Sequence, residues 1–273
     1  MREKQKNKTK MPQGPTAESL RVKTSETGMD STHWGTWLWG QLAHPGVNTV
    51  MGGNLLAYDG GSTAEEHPPL PAGVYSPEEV RQLCSAPLLC DRLRVGAVNG
   101  YVVRYLFDRR IIEGAGIRFS GAYLEDELFL IEYFSNSVSL AVVEDPLYYY
   151  YQNPMSVTKR YLPTFVDTFL TTLKLKADLT ERYRIPVTEQ WTDNTCWAGL
   201  LMAVGNEFAA SNPASRREKC RRVKEICRLP VFAHALDHYV PQGMGRNKTI
   251  VAQLLRRRLF GPLSLLYAVK NRR

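Results

Sequence analysis

Two adjacent acids, Glu125 and Asp126, are the residues of this 273-residue sequence best suited to carry chemistry. The apolar residues around them recur at helical spacing, at positions 124, 128, 131 and 134. The acids therefore fall in the first turn of a helix, where unpaired N–H groups and the positive end of the dipole favour an ionised carboxylate. Such a carboxylate can act as a general base that takes a proton from a hydroxyl group. Acids at this position also often serve only as caps, and the pattern leaves both explanations open.

A strand is predicted directly after this helix. Residues 138–151 have the β-branched and aromatic content of a strand. Asp145-Pro146 is predicted to interrupt it, because proline cannot donate a ladder hydrogen bond. The segment ends in four consecutive tyrosines at 148–151. They indicate either a half-buried strand, which the composition favours, or an exposed binding surface.

Five short segments follow one another along the chain: GVYSPEE at 73–79, LFDRRII at 106–112, EDELF at 125–129, PLYYY at 146–150 and SVT at 156–158. In this order they resemble the second half of the catalytic domain of family 2 glycosyltransferases, enzymes of GT-A type that build bacterial polysaccharides. In that family G-x-Y-S-x-E-E is followed by K-L-[YF]-x-R-x-[IL]-I, by E-D-x-x-F, by a strand ending P-L-Y-x-Y, and by S-[IV]-T. The sequence departs from the family at Val103 and Tyr105, where Trp and Lys are expected.

The resemblance implies transfer of a sugar from a nucleotide-sugar donor to a polysaccharide or lipid-linked acceptor, with inversion at the anomeric carbon. Asp126 matches the family's base, and Glu125 is the neighbour that orients it or binds the acceptor. The polar loop after the strand is predicted to hold phosphate oxygens through four residues, Ser156, Thr158, Lys159 and Arg160. An equally simple alternative is that Ser156 or Thr158 caps a helix starting at about residue 161.

The resemblance also implies a divalent cation, Mg²⁺ or Mn²⁺, which neutralises the diphosphate of the donor. Family members bind it through Asp-x-Asp, a pattern that occurs nowhere in this sequence. The family's P-x-Y-N and D-D-G-S segments are missing as well, since DGGS at 59–62 lies only 66 residues before Glu125. The chain is therefore expected to be the acceptor-side half of such an enzyme. Truncation, a frameshift or a separate chain would each account for the missing N-terminal half and leave the activity of this chain open.

These features predict an α/β chain, a partial GT-A (Rossmann-like) catalytic half-domain followed by a helical C-terminal region. Residues 1–69 are expected to be disordered or unassignable, apart from a short strand near 54–58. Residues 70–160 are the acceptor-side half-domain, with short helices after Ser76 and near 109–112. Residues 161–273 are helical, with helices at about 161–183, 189–210 and 215–228 and two or three more to the end.

The net charge of +8 is unevenly distributed. Residues 214–273 hold 15 Lys and Arg against 3 Asp and Glu, whereas residues 31–213 carry a net charge of −7. The basic tail surrounds an apolar stretch at 259–269 and comprises Arg256, Arg257, Arg258, Lys270, Arg272 and Arg273. This pattern favours peripheral contact with an anionic membrane over nucleic acid, for which no recognition motif is present. The alternatives are a surface helix without a partner and a non-catalytic basic module that binds membrane or nucleic acid.

The sequence shows neither a secretory signal nor an apolar run long enough to span a membrane. Its five cysteines lack close paired spacing and are expected to be free thiols. A cytoplasmic location, peripheral at the inner face of the membrane, is therefore expected. His234 and His238, with Cys220 or Cys227 nearby, could share a metal ion, but without H-E-x-x-H or C-x-x-C patterns no metal site is predicted.

Overall fold

The structure of the chain, a computed structural model, describes residues 46–58, 61–136, 138–152 and 160–271. It is a mixed α/β fold in which a five-stranded sheet is followed by a helical region. The strands are β1 (Thr49–Ala57), β2 (Thr63–Glu66), β3 (Gly73–Tyr75), β4 (Tyr105–Leu106) and β5 (Leu140–Tyr151). The expectations for residues 1–45 fall outside the described residues.

Short helices connect the strands, and longer ones follow the sheet. Those before β5 are α1 (Pro77–Val80), α2 (Pro87–Cys90), α3 (Arg109–Gly114) and α4 (Glu125–Ser135). Those after it are α5 (Phe165–Tyr183), α6 (Trp191–Glu207), α7 (Arg216–Ile226), α8 (Pro230–His238), α9 (Arg246–Arg256) and α10 (Phe260–Lys270). A π-helical turn at Arg81–Ser85 continues α1, and a 3₁₀ turn at Val102–Arg104 precedes β4. Among the described helices, none has the length and apolar character to cross a membrane.

Two predicted helix starts are confirmed by their caps. Ser76 and Glu79 form a reciprocal capping box at α1, in which each side chain accepts the other's backbone N–H. Ser215 caps α7 by accepting the N–H of Glu218. The short helix expected near 109–112 is α3, whose cap is the Asp108 carboxylate.

The sheet is organised around β1, which pairs in parallel with β5 and antiparallel with β2 and β4. The remaining strand, β3, pairs antiparallel with β5 on its far side. The sheet therefore begins at residue 49, inside the segment that the sequence left unassigned. Because β1 and β5 run in parallel, helices α1 to α4 belong to one long crossover between them.

The pairing of β1 with β5 contains a bulge. Met51 pairs with Val142 but Gly53 pairs with Pro146, so β5 advances four residues where β1 advances two. A Cβ atom at Gly52 would collide with the Leu147 side chain, so only glycine fits there. The predicted interruption at Asp145-Pro146 is therefore wrong as a break in the strand, since β5 is continuous and the proline sits in the bulge.

One hydrophobic core lies between the sheet and α4. It contains Ile131 and Phe134 of α4 with Met51 and Leu140 of the central strands, all fully buried. Leu179, near the end of α5, belongs to the same core. The chain therefore changes from sheet to helices near the expected boundary between residues 160 and 161, and the helical region shares this core with the sheet.

A second core surrounds α6 in the helical region. Trp197 of α6 is fully buried, and its indole N–H donates to the carbonyl groups of Ala235 and Tyr239, both at 3.0 Å. Phe169 of α5 packs so closely on Gly199 that a Cβ atom there would overlap its ring. This core requires the close approach of α5 and α6 that glycine permits.

A buried ion cluster joins α4 to α5. The Glu127 carboxylate accepts hydrogen bonds from Lys176 Nζ at 2.7 Å and from Arg92 Nε at 3.1 Å. Glu127 and Lys176 are both buried. Burial alone would raise the pKa of Glu127, but the charges of Lys176 and Arg92 outweigh it and hold that pKa below its ordinary value.

We expect Glu127→Gln to lower the free energy of unfolding by about 3–5 kcal/mol, because it leaves buried Lys176 without a counter-ion. Lys176→Met should cost about 2 kcal/mol or less, since Arg92 still neutralises Glu127. Urea unfolding at pH 7 measures both values. Equal losses in the two variants would contradict the central role of Glu127.

The same cluster predicts acid sensitivity. Because the folded-state pKa of Glu127 is depressed, its contribution is complete above the ordinary value of 4.5 and is lost as pH falls through the folded pKa. The stability difference between wild type and Glu127→Gln should therefore shrink as the pH is lowered from 7 towards 3.

Candidate functional site

The first turn of α4 lies at the carboxyl edge of the parallel strands. Residues 136–139 connect the end of α4 directly to the start of β5. The hydroxyl of Tyr133, near the end of α4, lies 2.7 Å from the hydroxyl of Thr49 at the start of β1, so the N-terminal residues of α4 lie towards the edge where β1 and β5 end. In open α/β sheets this carboxyl edge is where ligands bind. Glu125 and Asp126 lie in this first turn, and their predicted catalytic roles stay predictions.

Asp126 is half-buried and accepts no hydrogen bond from the residues that the structure describes. Loss of hydration raises the pKa of Asp126, and the neighbouring charges of Glu125 and Glu127 raise it further. A carboxylate with a raised pKa binds a transferred proton more strongly than an ordinary aspartate. Asp126 is therefore a partly accessible carboxylate without a hydrogen-bond partner among the described residues.

Glu125 has a different role from Asp126. Its Oε2 accepts the backbone N–H of Gly121 at 3.0 Å, which closes the loop that precedes α4. Gly121 has φ +68°, a left-handed conformation suited to glycine. The structure shows no hydrogen bond between Glu125 and Asp126. Glu125 therefore shapes the loop, whereas its predicted orienting of Asp126 stays a prediction.

The residue before the acids carries backbone strain. Leu124, at the N-cap of α4, has φ 61° and ψ 34°, the left-handed region that a leucine rarely adopts. The N-terminus of α4 has no side-chain cap hydrogen bond. Arg184 and Arg258 also have positive φ among the described residues, so the conformation of Leu124 does not by itself indicate a function.

The 3₁₀ turn and the loop before it, here called the wall, contact Glu127 in the first turn of α4. Gly100 contacts the side chain of Glu127 so closely that a Cβ atom would overlap it. The next residue, Tyr101, is 43% exposed, and its ring lies over the guanidinium of Arg104 at 5.6 Å. Arg92, the partner of Glu127, lies close enough to Tyr101 to influence its pKa. These contacts join the start of α4 to the 3₁₀ turn.

A polar cluster lies beneath Tyr101. Glu66 Oε2 accepts hydrogen bonds from Arg104 at 2.7 Å and from Asn54 at 2.6 Å. Arg104 and Asn54 are buried, while the Glu66 side chain is 34% exposed. Arg104 Nε and Asn54 Oδ1 lack hydrogen-bond partners among the described residues. Unpaired buried polar atoms of this kind are uncommon in folded proteins.

The tyrosine run extends this wall. The Tyr150 ring lies 6.0 Å from Tyr101 and 6.1 Å from Tyr148. Tyr148, Tyr149 and Tyr151 are 43%, 61% and 53% exposed, so the run is more open than the half-buried strand that its composition favoured. The predicted strand is confirmed, since β5 continues to Tyr151, and the alternative of a binding surface stays a prediction.

An apolar cleft of about 360 Å³ borders the other side of α4. Phe129, one helical turn after Asp126, forms part of it and stacks on Phe119 at 4.5 Å. Val103 also lines this cleft, at the position where the family carries Trp. Neither Glu125 nor Asp126 is among the residues that line this cleft.

Of the four predicted phosphate-binding residues, only Arg160 is described, and it is exposed. Ser156, Thr158 and Lys159 lie outside the described residues. The alternative helix start at about 161 is wrong in position, since α5 begins at Phe165 after Thr164. The predicted phosphate-binding loop stays a prediction.

The two histidines make contacts typical of a helix surface. His234 Nδ1 lies 3.0 Å from Asp193 Oδ1, and His238 Nδ1 lies 3.0 Å from the carbonyl oxygen of His234. Within the described ranges, no three His, Cys, Asp or Glu side chains come together as metal ligands. The divalent cation that the resemblance implies stays a prediction, and the mechanism below has no metal step.

The five cysteines are all free, as expected. Burial raises the pKa of Cys84 and Cys196 to about 12 and that of Cys227 to about 11. These three thiols are therefore protonated at neutral pH and unsuited to nucleophilic chemistry.

Sequence reasoning missed Glu127, Arg92, Arg104, Glu66 and Tyr101. For two of the buried cations, Arg104 and Lys176, the sequence contains a pattern that indicates burial. Arg104 interrupts the apolar run 102–107, and Lys176 lies on the buried side of α5 at helical spacing from Phe169 and Thr172. A cation in an apolar setting predicts a buried ion pair, although not the identity of its partner.

The strain at Leu124 yields a test in which two variants remove the same side chain. Leu124→Gly should be more stable than Leu124→Ala by about 1 kcal/mol, because only glycine adopts the left-handed conformation without a Cβ clash. Thermal and urea unfolding measure the difference. An alanine variant as stable as the glycine variant would show that the backbone there is not strained.

Comparison of the chain with models of known protein families, with curated proteins and with solved structures finds no match.

Proposed function

We propose that the chain is the acceptor-side part of a family 2-like glycosyltransferase of partial GT-A architecture. It would transfer a sugar from a nucleotide-sugar donor to a polysaccharide or lipid-linked acceptor. One observation carries the proposal: Asp126, half-buried and free of ion-pair partners among the described residues, stands with a raised pKa at the carboxyl edge of β1 and β5. The resemblance of the five segments supports the same conclusion.

In the proposed reaction Asp126 acts as the base. The acceptor hydroxyl oxygen forms a bond to the anomeric carbon of the sugar while the bond from that carbon to the diphosphate oxygen breaks. The hydroxyl proton passes to the Asp126 carboxylate, and the electron pair of the broken bond leaves with the nucleoside diphosphate. A single displacement inverts the anomeric carbon and needs no second catalytic carboxylate.

The surrounding residues suit a saccharide. Tyr101 and Tyr148 present partly exposed rings, against which the apolar face of a sugar can pack. The partly exposed carboxylate of Glu66 can accept hydrogen bonds from sugar hydroxyl groups, while Arg104 and Asn54 fix its orientation. The wall of the site thus combines the apolar and polar contacts that carbohydrate binding requires.

We expect Asp126→Asn to lower the rate of nucleoside diphosphate release from a nucleotide sugar by about 10²–10⁴-fold. The full chain is tested against a panel of nucleotide sugars with and without Mn²⁺, water serving as the acceptor. Asp167→Asn is the matched control, because Asp167 is an exposed aspartate on α5. In the wild type the rate should fall as pH drops through the raised pKa of Asp126, and this inflection should vanish in Asp126→Asn.

Stability separates a catalytic loss from a structural one. A carboxyl group with a raised folded-state pKa favours folding at low pH, and this contribution is lost as pH rises through that pKa. Asp126→Asn should therefore have a Tm at pH 7 equal to or above that of the wild type. A marked fall in Tm, or turnover unchanged by the substitution, would contradict the assignment of Asp126 as the base.

A further inference from the structure

The last helix, α10, is apolar on two opposite sides. Leu263 is buried in the helical core, and Phe260 and Tyr267 pack against that core. A second group, here called the outer stripe, has the i, i+3, i+4, i+7 spacing of one helix face and consists of Pro262, Leu265, Leu266 and Val269.

The outer stripe faces solvent. Leu265 and Val269 are 53% and 55% exposed, and Leu266 is 38% exposed. The side chains of a surface helix are normally polar on the face that points away from the core. The exposed apolar residues on the outer face of α10 therefore indicate that this face contacts a second apolar environment.

Basic residues surround the outer stripe. Arg256 and Arg257, both exposed, lie just before α10, and Lys270 is its last residue. Neither Arg256 nor Arg257 has a hydrogen-bond or ion-pair partner among the described residues, whereas Arg258 pairs with Asp237 at 3.3 Å. Leu259, 41% exposed, lies between the arginines and the helix. Cations therefore adjoin exposed apolar side chains at both ends of the stripe: Arg256 and Arg257 precede Leu259, and Lys270, whose Nζ lies 5.8 Å from the centre of the Tyr267 ring, follows Val269.

The neighbouring surface of α7 is also basic. Arg217, Arg221 and Lys224 line an open groove of about 620 Å³ that ends at Phe260, the first residue of α10. Two acids of α7 lie on this surface, Glu218 and Glu225, and both interact with Arg221. The positive charge near α10 is thus only partly compensated.

We propose that the outer stripe of α10 and the adjoining basic residues bind the surface of an anionic lipid membrane. The leucines would enter the boundary between headgroups and acyl chains, and Arg256, Arg257 and Lys270 would contact anionic headgroups. This inference does not depend on the proposed transferase activity.

Charge and apolar character together favour a membrane over other partners. Nucleic acid would match the arginines but leave four apolar side chains in water. A second copy of the chain would cover the leucines but bring like charges on the two copies together. An anionic membrane satisfies both features of the surface.

Sedimentation with lipid vesicles tests the proposal on the full chain. Vesicles of phosphatidylglycerol mixed with phosphatidylcholine should sediment the protein, and vesicles of phosphatidylcholine alone should sediment little of it. Arg256→Gln with Arg257→Gln should lower the partition coefficient by about 25-fold, or about fivefold for each charge. Leu265→Ser with Leu266→Ser should lower it by about tenfold or more.

Matched controls change other surfaces by the same amount. Lys174→Gln with Arg182→Gln removes two exposed cations from α5, and Val74→Ser with Val95→Ser removes two exposed apolar side chains elsewhere. Both control proteins should bind vesicles like the wild type. Circular dichroism and Tm values verify that each variant is folded, and a folded leucine variant with lost binding supports the proposal.

Three results would overturn the proposal. The first is vesicle binding that shows no dependence on the proposed surface: the protein binds anionic and neutral vesicles equally, or both the arginine variant and the leucine variant bind like the wild type. The second is tighter binding to duplex DNA or RNA than to anionic vesicles. The third is a stable dimer in sedimentation equilibrium that Leu265→Ser with Leu266→Ser dissociates.

Discussion

The buried carboxylate of Glu127 is the interaction on which the placement of the site depends. It lies in the first turn of α4, between Lys176 of α5 and Arg92 of the loop after α2, and Gly100 packs directly against it. Three segments are thereby held to one helical turn. Because two cations surround one carboxylate, their charges outweigh the effect of burial and keep the pKa of Glu127 below its ordinary value.

The three acids of this turn have different environments although they are adjacent in sequence. Glu125 accepts a backbone N–H of the preceding loop, and Glu127 is neutralised by buried cations. Asp126 alone of the three lacks such a partner among the described residues, and burial, together with the charges of its two neighbours, raises its pKa. The fold thus leaves one carboxylate free by occupying those on either side.

The sequence predicts local structure better than it predicts the site. The serine caps, the spacing of α4 and the tyrosine strand follow from short-range rules, and each agrees with the structure. By contrast, β1 is hidden by Gly52 and Gly53, which lower strand propensity but are required by the bulge opposite Pro146. The partners of Arg104 and Lys176 could not be predicted, because they lie 38 and 49 residues away along the chain.

The parallel pairing of β1 with β5 has a consequence for how the chain folds. Thr49 pairs with Leu140, so the central strands can meet only after a crossover of about 90 residues has been brought together. Closing so long a loop costs conformational entropy before any pairing compensates for it, which slows folding. During synthesis β1 must remain without its main partner until β5 emerges from the ribosome. Helices α1 to α4 therefore become available to fold before the sheet that they cover is complete.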